Sequence, residues 1–316
     1  DAVDHREGSA GRLASECGNL SVKCLVTGAG GQLASSLVDR AVPSIQVEAM
    51  SVDDLDITNS EQVNSVVARL RPDVIINAAA WTDVDGAESD ESSAMAVNRD
   101  GPAHLAEACA RHGSRLIHVS TDFVFDGSGS RPCRVDDPTA PLGAYGRSKL
   151  AGEQAIQDRL GQDAIIVRTA WLYAAHGQNF VRTMLKIMSD RDHIKVVADQ
   201  RGTPTSTNSL ADAMWQLQEG DAKGVFHWTD GGEATWHEFA TFIHDTAISN
   251  DLLDHEVQIE AITSDQWPTA AKRPHYSVMD ISGSEEFLGR SPRPWRDEVA
   301  AVVESLAAME VQRPNR

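Results

Sequence analysis

Tyr145 and Lys149, four positions apart in the run Tyr-Gly-Arg-Ser-Lys, are the residues of this chain best suited to acid–base chemistry. The spacing i, i+4 puts phenol and ammonium on one face of a helix. Reduction of a ketone creates an alkoxide that must receive a proton. A phenol with an ordinary pKa near 10 is slow at that task at neutral pH unless its anion is stabilised. An adjacent ammonium supplies the stabilisation: a shift of about three units needs roughly 4 kcal/mol. A short desolvated contact provides this and a surface contact does not. A bare Tyr-x-x-x-Lys also describes an exposed helix pair, so its setting decides. Ser120-Thr121-Asp122 ends the apolar run Arg-Leu-Ile-His-Val, at the strand edge where open α/β sheets bind ligands. Thr121 precedes Tyr145 by 24 positions and is placed to donate a hydrogen bond to the same carbonyl oxygen.

A second constellation lies upstream. Residues 27–34 read Thr-Gly-Ala-Gly-Gly-Gln-Leu-Ala, so Gly28, Gly31 and Ala34 fit a Gly-x-x-Gly-x-x-Gly/Ala spacing. Such glycines let backbone N–H groups approach a pyrophosphate, and the following helix adds its positive end. A plain strand–helix turn also needs glycine. Here the triplet stands between the apolar strand 22–27 and an amphipathic helix, the context a dinucleotide loop requires. Past the second strand, where an acid selective for NAD is usual, stand Met50 and Ser51, with no adjacent Arg for a 2′-phosphate. The choice between NADPH and NADH stays open, the missing acid tilting it to NADPH. Asp56 and Ile57 are placed to hold the adenine edge, or Asp56 simply caps a turn.

The elements that must position these groups follow from hydrophobic periodicity. Strands are expected at 22–27, 45–50, 74–80, 115–121 and 164–173, alternating with helices after Gln32, from Ser60, over 94–112 and around Tyr145. This alternation specifies an α/β fold, a Rossmann-type doubly wound parallel sheet. Beyond Phe180 shorter strands (194–199 and 223–229) and helices suggest a smaller C-terminal α/β substrate domain over the sheet's carboxyl edge. The expected division is a flexible leader over 1–21, a dinucleotide-binding domain over 22–178 and a substrate domain over 179–316, interleaving between the last two being allowed. The last helix, Glu298 to Met309, sets Val299, Val302, Val303, Leu306 and Met309 on one face, a core pattern.

Composition excludes some classes. With 28 Lys and Arg against 47 Asp and Glu the net charge is −19, which repels nucleic acid and anionic membranes. No apolar run approaches the roughly 20 residues that cross a bilayer. Cys17, Cys24, Cys109 and Cys133 have neither metal-ligand nor close-pair spacing and read as reduced, cytoplasmic thiols. The 11 histidines are scattered; His237 and His244 lack a carboxylate or cysteine to complete a metal site. No metal site is expected. The missing initiator Met leaves room for an upstream domain.

Taken together, Gly28-x-x-Gly31, Asn-Ala-Ala-Ala (77–80), Ser-Thr-Asp (120–122) and Tyr-Gly-Arg-Ser-Lys (145–149) resemble the extended short-chain dehydrogenase/reductases. The runs 78–89, 118–127, 145–155, 167–173 and Asp-Gln-Arg-Gly-Thr-Pro-Thr (199–205) resemble one branch, the dTDP-4-dehydrorhamnose reductases, from about Val22 to Met309. The resemblance implies reduction of a dTDP-linked 4-keto sugar by NADPH or NADH. It assigns Gly28, Gly31, Gln32, Leu33, Asp56, Ile57, Ala80, Trp81, Thr82 and Val119 to the cofactor, and Asn98 to a polar position near the site. Thr121, Asp122 and Trp171 face the sugar, Tyr145 is the proton donor and Lys149 holds the nicotinamide ribose. Arg273, after Lys272, is placed for the nucleotide diphosphate, and Asn179-Phe180 for the nucleotide. Some members join subunits through a magnesium ion held by glutamates; Ser36 and Asn208 stand at two of those positions here, which argues against the ion and that dimer. Phe123 replaces a common Tyr. The oligomeric state is left open, and fusion or association with the preceding epimerase is compatible with the chain. Competing readings are another sugar-nucleotide epimerase or dehydratase, and a non-catalytic regulatory subunit like the β subunit of methionine adenosyltransferase. The complete Thr121–Tyr145–Lys149 set disfavours the last.

Overall fold

The structure is a computed structural model that describes residues 21–311, so all but the last residue of the expected leader, and Cys17, lie outside the described residues. Strands β1 (Val22–Thr27), β2 (Ile45–Met50), β3 (Val74–Asn77), β4 (Arg115–Thr121) and β5 (Ile165–Thr169) pair in parallel in the order 2-1-3-4-5. Their buried, β-branched runs suit a sheet covered on both faces. Helix α1 (Gln32–Asp39) packs on one face. Helix α2 (Ser60–Leu70), capped by the Asn59 side chain, packs on the other. The order reverses between β1 and β3, the switch point beyond which ligands bind in such sheets.

The helix expected over 94–112 is the end of α4 (Glu91–Met95), a π-helical turn (Ala96–Asp100) and α5 (Gly101–His112), and a further short helix, α3 (Val84–Ser89), precedes it. Asp83 caps α3 and Asp90 caps α4, which periodicity alone does not reveal. The turn 122–125 and a long loop then lead to α6 (Ala144–Leu160).

The expected strand 164–173 breaks at Trp171, whose φ of 47° turns the chain into β6 (Leu172–Tyr173). Next come α7 (Phe180–Met188), β7 (His193–Val197), β8 (Arg201–Gly202) and β9 (Thr205–Ser206). Then the chain returns: α8 (Thr207–Glu219) packs beside α1, and β10 (Gly224–His227) pairs with β5 as the sixth parallel strand. The sequence reading placed both within 179–316 and allowed the two domains to interleave; here α8 joins the first core through Leu210, Met214 and Trp215, and β10 through Phe226. The remainder comprises β11 (Ala234–Thr235), α9 (Trp236–Ser249), β12 (Gln258–Ile262), α10 (Ser282–Leu288) and α11 (Trp295–Val311). Of these, β11, α9, β12 and α11 form with α7 and β7 a smaller α/β lobe around Phe239, Ile243, Trp295 and Val299, whereas α10 packs against β10 through Phe287 and Phe226. Val302 and Val303 are buried as expected, whereas Met309 is exposed at the helix end. Among the described residues no helix is long and apolar enough to cross a membrane.

Candidate active site

The glycine loop is built for close approach. Gly28 has φ 77°, and a Cβ there would lie 2.9 Å from the backbone of Ala79. Gly30, not singled out from sequence, has φ 87° and opens onto free space. Gly31 precedes α1 without a side-chain cap, so the first-turn amides of Gln32, Leu33 and Ala34 lack intrahelical acceptors. These are features a pyrophosphate fits. The side chains of Gln32 and Leu33 do other work. Leu33 is core, and Gln32 bonds to Asn179 (2.8 Å) and the Gln178 carbonyl (3.1 Å), fastening the loop to the start of α7.

Beyond β2, Asp56 accepts from the amide and hydroxyl of Thr58 through one oxygen, and Ile57 is buried beneath Gly101. The turn-capping role weighed for Asp56 is thus present, and the Ile57 carbonyl is bonded to His104 at 3.0 Å. The position without an acid, Ser51, is occupied from further along: Asp54 accepts from the Ser51 hydroxyl at 2.7 Å and its amide at 3.2 Å.

Helix α6 carries the catalytic candidates and is pressed against its neighbours by two glycines. A Cβ on Gly146 would lie 2.3 Å from the Phe123 carbonyl, and one on Gly152 2.1 Å from that of Asn98. The first contact sets Tyr145 against the 121–123 turn, where its ring meets Phe123 edge-on at 5.6 Å. The second seats α6 on the π-helical turn, an irregularity common at functional sites. Buried Asn98 accepts from the Trp81 amide (2.9 Å), donates to the Trp81 carbonyl (3.0 Å), and donates to Ser148 (3.0 Å). The segment Ala80-Trp81-Thr82 is thereby tied to the helix of Tyr145.

Lys149 is buried, donating to the Val119 carbonyl at 2.7 Å, and burial lowers its pKa to about 8. One turn on, buried Glu153 pairs with Arg168 at 2.7 Å and accepts from Ser120. Tyr145 is pushed up to about 12 by burial; a hydrogen bond with Thr121 lowers it and the Asp122 charge raises it. The Lys149 ammonium, one helical turn away, is anchored on the Val119 carbonyl. The phenol is held as a neutral acid, the form a proton donor needs. Thr121 donates to Asp122 at 3.1 Å, and burial raises Asp122 to about 6 with its second oxygen unbonded.

Trp171 forms a wall beyond this edge. Its strained backbone is held by stacking on Trp236 (centroids 3.5 Å apart, planes 10° apart) and by Gly202, where a Cβ would strike the indole at 2.7 Å. Trp236, missed from sequence, also lines a cavity of about 740 Å³ with Phe180, Trp267, Lys195, Lys272 and Arg273. That volume suits a nucleotide. Arg273 is engaged there already: it grips Asp85 of α3 at 2.6 and 3.2 Å and depresses that carboxyl. Ser36, one of the positions weighed for magnesium, is buried and bonded to Thr207 at 2.8 Å; Asn208 is exposed.

Comparison with known proteins matches this arrangement. The family model of the RmlD substrate binding domain spans residues 22–308. A dTDP-4-dehydrorhamnose reductase of Aggregatibacter actinomycetemcomitans is 41% identical over 87% of this chain and 96% of its own. A dTDP-4-keto-6-deoxy-D-glucose reductase of Streptomyces niveus is 44% identical over 81% of this chain and 87% of its own. The structure of the Bacillus anthracis dTDP-4-dehydrorhamnose reductase in complex with NADP superposes with a TM-score of 0.84 at 33% identity, covering 89% of this chain and 98% of that one. The chain therefore belongs to the dTDP-4-dehydrorhamnose reductase family and is an NAD(P)H-dependent oxidoreductase.

Proposed function

We propose that this protein reduces the 4-keto group of dTDP-4-dehydro-L-rhamnose to give dTDP-L-rhamnose. The observation that carries this reading is the part-buried Tyr145, set against Phe123 and Thr121 at the carboxyl edge of β4, one helical turn from the buried Lys149. The bound nicotinamide supplies the hydride. Tyr145 donates its proton to the carbonyl oxygen as negative charge develops there, and Thr121 orients that oxygen. Lys149 binds the nicotinamide ribose and keeps positive charge beside the phenolate that remains. Ala80, Trp81, Thr82 and Val119 flank the nicotinamide. The nucleotide occupies the cavity bounded by Trp236 and Trp267, with Trp171 against the deoxysugar and Lys272 and Arg273 near the diphosphate.

For the cofactor, Asp54 favours NADH. It takes both donors of Ser51, and residues 51–59 hold three aspartates and no basic residue, leaving nothing to neutralise a 2′-phosphate.

The test is an assay of NADH and NADPH oxidation with dTDP-4-dehydro-L-rhamnose generated in situ, and in parallel with the 4-keto-6-deoxy-D-glucose nucleotide. Tyr145→Phe is expected to lower kcat by about 10²- to 10⁴-fold, the range for loss of a positioned acid, with cofactor affinity retained. Undiminished turnover by that variant would sink the mechanism. Preference for the D-gluco substrate would move the specificity to that of the Streptomyces niveus relative.

A further inference from the structure

The sheet face beneath α6 ends in a polar row. Leu25, Ile75 and Leu116 are register partners across β1, β3 and β4, all buried in the core on that face. Two residues further along the same strands, the partners are Thr27, Asn77 and His118, each at most 1% exposed. Buried polar side chains are costly unless mutually satisfied. These are linked in a line: Thr27 Oγ1 donates to Asn77 Oδ1 at 2.6 Å, Asn77 Nδ2 faces His118 Nδ1 at 3.0 Å, and His118 Nε2 faces Lys149 Nζ at 3.4 Å, so in this arrangement the row runs from Thr27 towards Lys149.

We propose that Thr27, Asn77 and His118 form a hydrogen-bond wire that positions Lys149 and reverses direction when Lys149 changes protonation state. The inference rests on reading Lys149 as the cation of the site. An ammonium has donors only, so His118 must then accept at Nε2, carry its proton on Nδ1 and donate to the carboxamide oxygen of Asn77. The Asn77 amide then donates to Thr27. When Lys149 is an amine it can accept from a proton on Nε2, and every bond of the row points the other way. A half-turn of the Asn77 amide and a change of imidazole tautomer interconvert the two without displacing the row. No third state competes, because burial and the Lys149 charge hold His118 neutral. The far end reaches the glycine loop: Thr27 Oγ1 accepts from the amide of Ala79, whose backbone packs on Gly28.

The other groups facing Lys149 are Tyr145 and Glu153, one turn to either side on α6, and the Val119 carbonyl of β4. Glu153 favours the ammonium, but its charge is shared with Arg168, and Ser120 donates to it. His118 is thus the neutral group through which the charge of Lys149 is communicated. It is a positioning residue, since it touches Lys149 and not the reacting atoms.

The experiment is ¹⁵N NMR of the full chain with labelled imidazoles, from about pH 6 to about pH 10, the span between ordinary His and Lys titrations. The His118 resonances are assigned by their loss in His118→Gln. The expected result is an Nδ1–H tautomer at low pH and an Nε2–H tautomer at high pH, with the change abolished in Lys149→Met. One tautomer throughout in the wild type, or a switch that persists in Lys149→Met, would overturn the wire. Kinetics give a second reading. His118→Leu is expected to lower kcat about 10-fold and shift the alkaline limb of its pH profile, with KM for the sugar nucleotide unchanged. His118→Gln, which keeps an acceptor and a donor, restores most of both. Unshifted profiles in both variants also overturn it. The tautomer measurement needs no turnover. Full reductase activity in Lys149→Met would therefore defeat the catalytic reading of Lys149 and leave the NMR result standing.

Discussion

Burial of the Asp122 carboxyl beside Thr121 raises it to about 6, so the folded protein at neutral pH carries a desolvated carboxylate with one oxygen unbonded. For an acid raised from 3.8 the sign is definite. Below that value both states are protonated and nothing is lost; the cost grows between about 4 and 6 and is complete above. About two units correspond to on the order of 3 kcal/mol. Asp122→Asn is therefore expected to be more stable than the wild type at pH 8, with the gain vanishing near pH 4, as read by urea denaturation. It should be slower as a reductase, the usual exchange at a site that retains an unfavourable group. Equal stability at pH 8 would show that Asp122 finds a partner in solution. Tyr145, Lys149 and Thr121 were legible in the sequence because their spacing is local or their strand end is evident. Asn77 and His118 fall within motifs the sequence shows, but their linkage was not legible, because each looks like part of an apolar strand. Their alignment depends on strand register across 50 and 41 residues, which no local pattern carries.

At the scale of elements, the proposed preference for NADH rests on the turn after β2. Asp54 reaches back to the position an acid normally holds, a contact invisible when the strand end alone is read. The wild type is expected to prefer NADH, and Asp54→Asn should narrow the NADH to NADPH ratio in kcat/KM about 10-fold. The affinity of each cofactor, measured by quenching of tryptophan fluorescence, should move in parallel. A wild-type preference for NADPH would contradict the role given to this turn. β1, β2, α2 and β4 agree with the sequence reading nearly residue for residue, since their apolar runs are bounded by Gly, Pro, Asn or Asp. The break at Trp171 was missed for a physical reason. A bulky residue rarely takes positive φ, and only the tertiary clamp of Trp236 and Gly202 holds it there.

On the scale of the whole molecule, two contacts fasten the smaller lobe across the site: Gln32 to Asn179 beside the glycine loop, and Asp85 to Arg273 at the cavity rim. Arg273→Gln is expected to raise KM for the sugar nucleotide about 10-fold with little change in KM for the cofactor, in steady-state assays that vary each in turn. An equal rise in both would mean that the contact sets lobe geometry generally. Interleaving was allowed by the sequence, but that α8 and β10 are the elements that return was not legible, because an apolar strand does not announce which edge it will join.

That return has a consequence for how the protein is made. β5 is buried throughout, and β10, the strand that covers its edge, begins 55 residues after β5 ends. At ordinary translation rates the uncovered edge, Ile-Ile-Val-Arg-Thr, waits roughly 3–11 s for its neighbour. An open apolar edge is a template for pairing with other chains. Nascent chains paused between residues 170 and 223 should be the aggregation-prone species in the life of this protein and the ones a chaperone holds.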